Sequence, residues 1–210
     1  MNTFDTPASE ETGETGGPDL TALLGSRICH DLASPMGAVR NGIELMQMSG
    51  GGGAEELALI SGSVEAALAR LEFFRFAFGS GNPDAPIGAD EVGRTVTAMY
   101  ADSRSTVDWQ DREDRARWDL RLAFLALLCL ERAVPLGATV AVRRDGGRWA
   151  IDAEARRVVD GDLWAALRRR EVPGDLQGGD VQFGLLARDA RARGREIEAA
   201  LDETSVRIRV

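Results

Sequence analysis

At 210 residues with 44% hydrophobic side chains, the chain has enough apolar material to fill a core, as one large domain or two small ones. Its formal net charge of −9 at pH 7 argues against nucleic acid as a partner, because phosphate binding needs a concentrated basic surface. The two cysteines, Cys29 and Cys129, are too few and too far apart for a disulfide framework or a zinc site. No apolar run approaches the roughly 20 residues of a membrane span, and no apolar signal core lies at the start, so a cytoplasmic protein is expected.

Residues 1–18 are rich in Thr, Glu and Gly and nearly empty of large apolar side chains, which reads as a disordered tail. Asp19 is placed to cap the helix that follows. From Leu20 to about Ser49 the apolar residues Leu24, Ile28, Leu32, Pro35, Val39, Ile43 and Met46 recur at steps of three and four and form one stripe. Gly50–Gly53 then break the pattern. A second helix is expected from Ala54 to about Phe78, on the stripe Leu57, Ile60, Val64, Ala67, Leu71, Phe74 and Phe78. Residues 19–80 therefore predict an antiparallel helical hairpin. Alone it leaves apolar surface wet, so a homodimer with a four-helix bundle is expected. The run Phe73-Phe74-Arg75-Phe76-Ala77-Phe78 is read as core rather than as domain interface or partner surface.

Residues 81–88 include Pro83 and Pro86 and read as a linker. In residues 89–210 the expected elements are a helix at Ala89–Ala101, a strand at Ser105–Trp109 and a strongly apolar helix at Asp119–Val134. Strands at Ala138–Arg144 and Arg148–Ala153 flank the turn signal Asp145-Gly146-Gly147. Helices at Asp162–Arg170 and Val181–Arg193 and a hairpin at Arg195–Leu201 and Ser205–Val210 complete the chain. The fold class is α+β: a helical hairpin followed by an α/β sandwich with helices on one face of a mixed sheet.

His30 is the only histidine. With Ile28 set at zero and ~100° per residue, the apolar stripe falls within about 60° and His30 at about 200°, on the opposite side. Leu23, Ser26, Arg27, Ala33, Ser34, Gly37 and Asn41 share its face, so the ring is expected in solvent. That position alone also suits a surface histidine of no consequence. A metal ligand is disfavoured, because no second His and no Cys or carboxylate cluster lies at ligand spacing. The neighbourhood is more specific. Asp31 follows directly, Arg27 and Ser34 lie one turn to either side, and Ala33 and Gly37 leave an open surface. Pro35 removes a hydrogen bond to the carbonyl of Asp31, at a usual cost of about 3 kcal/mol in a helix interior.

The stretch Ser26-Arg27-Ile28-Cys29-His30-Asp31-Leu32-Ala33-Ser34-Pro35 resembles the H-box of histidine kinase dimerisation domains: His, an acidic residue, Leu, two variable positions and Pro. Extended through Asn41, Gly42, Glu44 and Leu45, it resembles the ChpT-type histidine phosphotransferases more closely. The resemblance implies a dimeric four-helix bundle carrying a phospho-histidine, followed by a domain similar to the kinase ATP-binding fold. Motifs by which such kinases hold nucleotide are missing. Leu122–Val134 contains no asparagine, no Asp-x-Gly-x-Gly occurs, and the lid's glycine pair is reduced to Gly184. Glu131 sits where a kinase base would, without magnesium ligands beside it.

What the resemblance implies is therefore a histidine phosphotransferase relaying phosphoryl groups between receiver-domain aspartates in a two-component phosphorelay. His30 is the expected nucleophile, with Asp31 orienting or deprotonating it. Arg27, Ser34, Gly37 and Asn41 are the expected partner contacts, and the degenerate second domain is expected to help dock a receiver. The implied partners are the receiver domains of a hybrid histidine kinase and of response regulators. No metal or cofactor is expected on this chain, with Mg2+ held by the receiver. The alternatives are a non-catalytic dimeric scaffold for response regulators and an ATP-dependent histidine kinase with unusual motifs.

Overall fold

The structure is a computed structural model that describes residues 17–48 and 53–210. The tail expected over residues 1–18 lies outside the described residues except for Gly17 and Pro18, as does the expected helix-breaking loop except for Gly53.

Helix α1 spans Leu20–Met48 and contains Pro35. Asp19 caps it, its Oδ1 accepting from the amides of Thr21 at 2.9 Å and Ala22 at 3.2 Å, which satisfies two donors that no helical carbonyl can reach. Helix α2 spans Ala54–Ala77, with Glu55 and Glu56 in the first turn where the helix dipole favours negative charge. The two form the expected hairpin. A Cβ at Gly42 would sit 2.6 Å from Cγ1 of Ile60, so the close approach of the helices there depends on glycine. Away from its base the hairpin is poorly covered. Leu24, Ile28, Leu32 and Val39 are half-buried, and Ile43, Leu45, Met48, Leu57, Leu59, Val64, Leu68 and Leu71 are exposed.

The last turns of α2 are buried through Phe73, Phe74, Phe76 and Ala77. Their neighbours belong to the C-terminal half: the Phe124 ring lies 4.5 Å from that of Phe73 and 4.9 Å from that of Phe76. The aromatic run is thus core and domain interface at once.

The C-terminal half contains β1 (Pro86–Ile87), α3 (Ala89–Tyr100), β2 (Thr106–Trp109), β3 (Arg115–Ala116), α4 (Arg117–Ala133), β4 (Ala138–Asp145) and β5 (Arg148–Ala155). These are followed by α5 (Asp162–Arg168), a 3-10 turn at Gly178–Asp180, α6 (Val181–Ala192), β6 (Glu198–Leu201) and β7 (Ser205–Arg209). The main sheet has the order β2-β4-β5-β7-β6; β2 runs parallel to β4 and the other pairs are antiparallel. The β4–β5 connection uses the glycines expected of it, Gly146 at φ +55° and Gly147 at φ +79°. Helix α4 is apolar nearly all round because it is covered nearly all round, with every residue from Leu122 to Leu130 buried.

Two features differ from the sequence expectation. β1 and β3 pair as a two-residue ribbon, too short for any periodicity to announce. The linker assigned to residues 81–88 includes β1 and lies against the start of α4, where Ala85 O accepts from the Arg117 amide at 3.0 Å and Pro83 O from the Trp118 amide at 2.9 Å. Among the described residues no helix is long and apolar enough to cross a membrane.

Candidate functional site

His30 projects from α1 with its side chain 86% exposed. Its Nδ1 lies 3.1 Å from Oδ1 of Asp31. Against a carboxylate, which accepts, this contact is a hydrogen bond when Nδ1 carries the ring proton, the tautomer that leaves the lone pair on Nε2. The site thus presents an exposed imidazole with a buried carboxylate against one of its two ring nitrogens.

Asp31 is buried at 9% exposure, unlike its neighbour. Its Oδ2 accepts from Nε of Arg27 at 2.7 Å, and Nη1 of Arg70 on α2 lies 3.9 Å away. The i to i+4 spacing on α1 brings Arg27 and Asp31 together. Nη1 of Arg27 then reaches the C-terminal half, donating to the Gly179 carbonyl at 2.6 Å and to Oε1 of Gln182 at 3.2 Å. Gln182 is fully buried, and its own Nε2 donates to the same Gly179 carbonyl at 3.1 Å. The 3-10 turn comes so close to α1 that a Cβ at Gly178 would lie 2.9 Å from Oγ of Ser26.

A second, half-buried acidic group stands behind these. Glu131, at the end of α4, accepts a hydrogen bond from the Tyr100 hydroxyl at 2.8 Å. Burial pushes the Glu131 carboxyl above its ordinary range, against the Tyr100 hydrogen bond and the charges of Arg27 and Arg70. Burial, then the charge of Glu131, drives the Tyr100 phenol well upward too.

Of the residues expected from sequence, the structure brings His30, Asp31 and Arg27 into one chain of contacts. Arg27 differs from the expectation of a partner-facing group: its side chain is only 11% exposed and its guanidinium is taken up by Asp31, Gly179 and Gln182. The helical wheel could not show that the C-terminal half covers this part of α1. Ser34 is exposed and, with Pro35 and Ala38, lines a cleft of about 760 Å³ between the hairpin and the end of α3, bounded also by Arg70, Tyr100 and Glu131. Gly37 is half-buried, with open space where a Cβ would point. Asn41 is exposed but sits about 16 Å along the helix axis from His30, too far to touch a group on the ring. Arg70, Gln182 and Gly179 were not expected. They are brought in by tertiary packing, and no local pattern marks them.

Among the described residues no group of three or more His, Cys, Asp and Glu is placed to hold a metal ion. A second cleft, of about 650 Å³, is bounded by α5, α6 and the segment between them. Trp164 and Phe183 are among its lining residues, and so are Arg132 and Asp180, which form an ion pair at 2.7 Å.

Comparison with known proteins places this geometry in context. A family model described as the histidine phosphotransferase C-terminal domain matches residues 89–205. The protein phosphotransferase ChpT of Brucella abortus (strain 2308) is 36% identical over 143 residues, 67% of this chain and 66% of that protein, just short of two thirds of the relative's length. A solved structure described as a bacterial phosphotransferase at 1.7 Å superposes with a TM-score of 0.78 and 31% identity, covering 91% of this chain and 96% of the other.

Proposed function

The chain belongs to the histidine phosphotransferase family, and from that premise we propose that His30 carries a phosphoryl group between the aspartates of receiver domains in a two-component phosphorelay. The observation that carries this reading is the pairing of an 86% exposed imidazole with a buried carboxylate on its Nδ1. Nε2 attacks the phosphorus of a receiver's aspartyl phosphate, the N–P bond forms, the P–O bond breaks, and the aspartate leaves as carboxylate. No proton has to move. Nδ1–H stays on the ring, which gains positive charge, and Asp31 lies against that charge. The reverse step, with a second receiver, returns the ring to its starting state. Such a transition state is loose, so positioning and charge neutralisation supply most of the rate, and Mg2+ held by the receiver contributes to the latter.

The partners are receiver domains of a hybrid histidine kinase and of response regulators. Ser34, exposed one turn beyond His30, and Gly37, with open space where a Cβ would point, are our candidates for meeting them, with Asn41 at the far edge of any such contact. The protein acts as a homodimer. The support is the row of exposed apolar side chains on the hairpin, among them Ile43, Leu57, Val64, Leu68 and Leu71, which a second hairpin would cover as a four-helix bundle. The C-terminal domain is a kinase-like ATPase domain that has lost its nucleotide. This rests on the absence of asparagine from α4 and of any Asp-x-Gly-x-Gly motif from the sequence.

The test is phosphotransfer from a pre-phosphorylated receiver domain. Acid-labile label on the wild type and none on His30→Ala is the expected result. Label that persists on His30→Ala, or a folded wild type that takes none from any of several receivers, would overturn the reading.

A further inference from the structure

Adjacent residues on an α-helix point about 100° apart and do not face each other. The contact between His30 and Asp31 therefore exists only if the carboxylate is held to one side. Arg27 holds it, through Nε on Oδ2 at 2.7 Å. An i to i+4 pair on an isolated helix is worth a few tenths of a kcal/mol and would leave both side chains to wander. Here the other end of the guanidinium is fixed, on the Gly179 carbonyl and on Oε1 of Gln182. Gln182 has no freedom of its own, being fully buried and bonded back to Gly179. The turn can be this close to α1 because Gly178 has no side chain to meet Ser26.

We infer that Gly178–Gln182 of the C-terminal domain sets the tautomer of His30, acting through Arg27 and Asp31 without touching the ring. This rests on His30 being the phosphoryl carrier. It gives the C-terminal domain a role in the chemistry separate from docking a receiver. Gln182 and Arg27 are positioning residues: they hold the carboxylate that holds the Nδ1 proton, and so leave Nε2 unprotonated for attack. A solvated imidazole has the opposite preference, with the proton on Nε2. Without the seat, most neutral rings would present the wrong nitrogen.

Because the chain has one histidine, its two ring nitrogens can be read without assignment. In full-length protein with 15N-labelled histidine, above the titration of the ring, the wild type should show a protonated Nδ1 and a bare Nε2. Gln182→Leu, which fills the same space without an acceptor, and Gly178→Ala, which pushes the turn off Ser26, should each shift the ring towards the Nε2–H form. Phosphoramidate serves as the donor for the matching activity, since it needs no receiver: Nε2 attacks phosphorus, the P–N bond breaks and ammonia leaves. Its labelling of His30 should slow by about tenfold or more in both variants. A wild-type ring in the Nε2–H form overturns the inference whether or not the variants fold. So does a folded Gln182→Leu with the wild-type tautomer and labelling rate. Failure of the wild type to accept phosphoryl from receivers would instead count against the relay, and would leave the tautomer result standing.

Discussion

Phe73, near the end of α2, and Phe124, in the middle of α4, meet with ring centroids 4.5 Å apart, and both are fully buried. The base of the hairpin and the C-terminal domain are therefore one core. Phe124→Ala should cost about 3–5 kcal/mol, the usual range for deleting a buried aromatic. Helical signal from the hairpin and tryptophan fluorescence from Trp109, which packs 5.7 Å from Phe124, should be lost in a single transition. Two separated transitions in the wild type would show that the halves unfold independently.

Asp31→Asn keeps the shape of the side chain and removes its charge. It leaves Arg27 without its buried counter-ion and the phosphorylated ring without an opposing negative charge. Transfer from a receiver should fall on the order of 100-fold, the usual scale for losing one electrostatic partner of the developing charge. Initial rates measured beside a melting curve separate this from loss of fold, which also contributes because half a buried pair remains.

Two glycines of α1 predict opposite effects of one methyl group. At Gly37 a Cβ meets nothing within 4 Å, so Gly37→Ala should stabilise by up to about 1 kcal/mol through helix propensity. At Gly42 the same atom would lie 2.6 Å from Ile60, and Gly42→Ala should destabilise by about 1 kcal/mol or more. Denaturant midpoints of the two variants check the pair.

Dimerisation through the hairpin predicts that charges on its exposed stripe separate the copies. Leu57→Arg with Leu68→Arg, at positions 51% and 56% exposed, should yield a folded monomer in sedimentation equilibrium. A wild type that is already monomeric at tens of micromolar would contradict the bundle.

Glu131 supplies a pH dependence. An unfolded glutamate titrates near 4.3, and burial raises the folded value above that. Between the two, the folded state keeps a proton that the unfolded state has lost, so this group's contribution is complete below the unfolded value and disappears as pH rises through the folded one. Glu131→Gln, still able to accept from Tyr100, should melt relatively higher than wild type at pH 8 than at pH 4.

The sequence was most informative where one element decides the outcome. The 3–4 periodicity marked both hairpin helices, Asp19 the cap of α1, and Asp145-Gly146-Gly147 the turn between β4 and β5. The rotation angle of His30 correctly put the ring in solvent. Failures began where a residue's role is settled by a distant one. Arg27 shares the ring's face by angle, but Gly179 and Gln182 take its charge inward. Asp31 is expected from sequence to orient or deprotonate the imidazole, but its burial beside Arg27 and Arg70 has no local signature. Pro86–Ile87 was hidden for another reason, since two residues carry no period.

The Gly178 turn packs against Ser26, and Arg27 is bonded to Gly179 and Gln182, so the stretch of α1 that bears His30 is anchored to the C-terminal half. In the proposed relay the carrier stays still and the visitors move. Donor and acceptor must then call at the same ring in turn, each excluding the other. Throughput is set by how soon the first one leaves, so tight binding by either partner would stall the relay that depends on it.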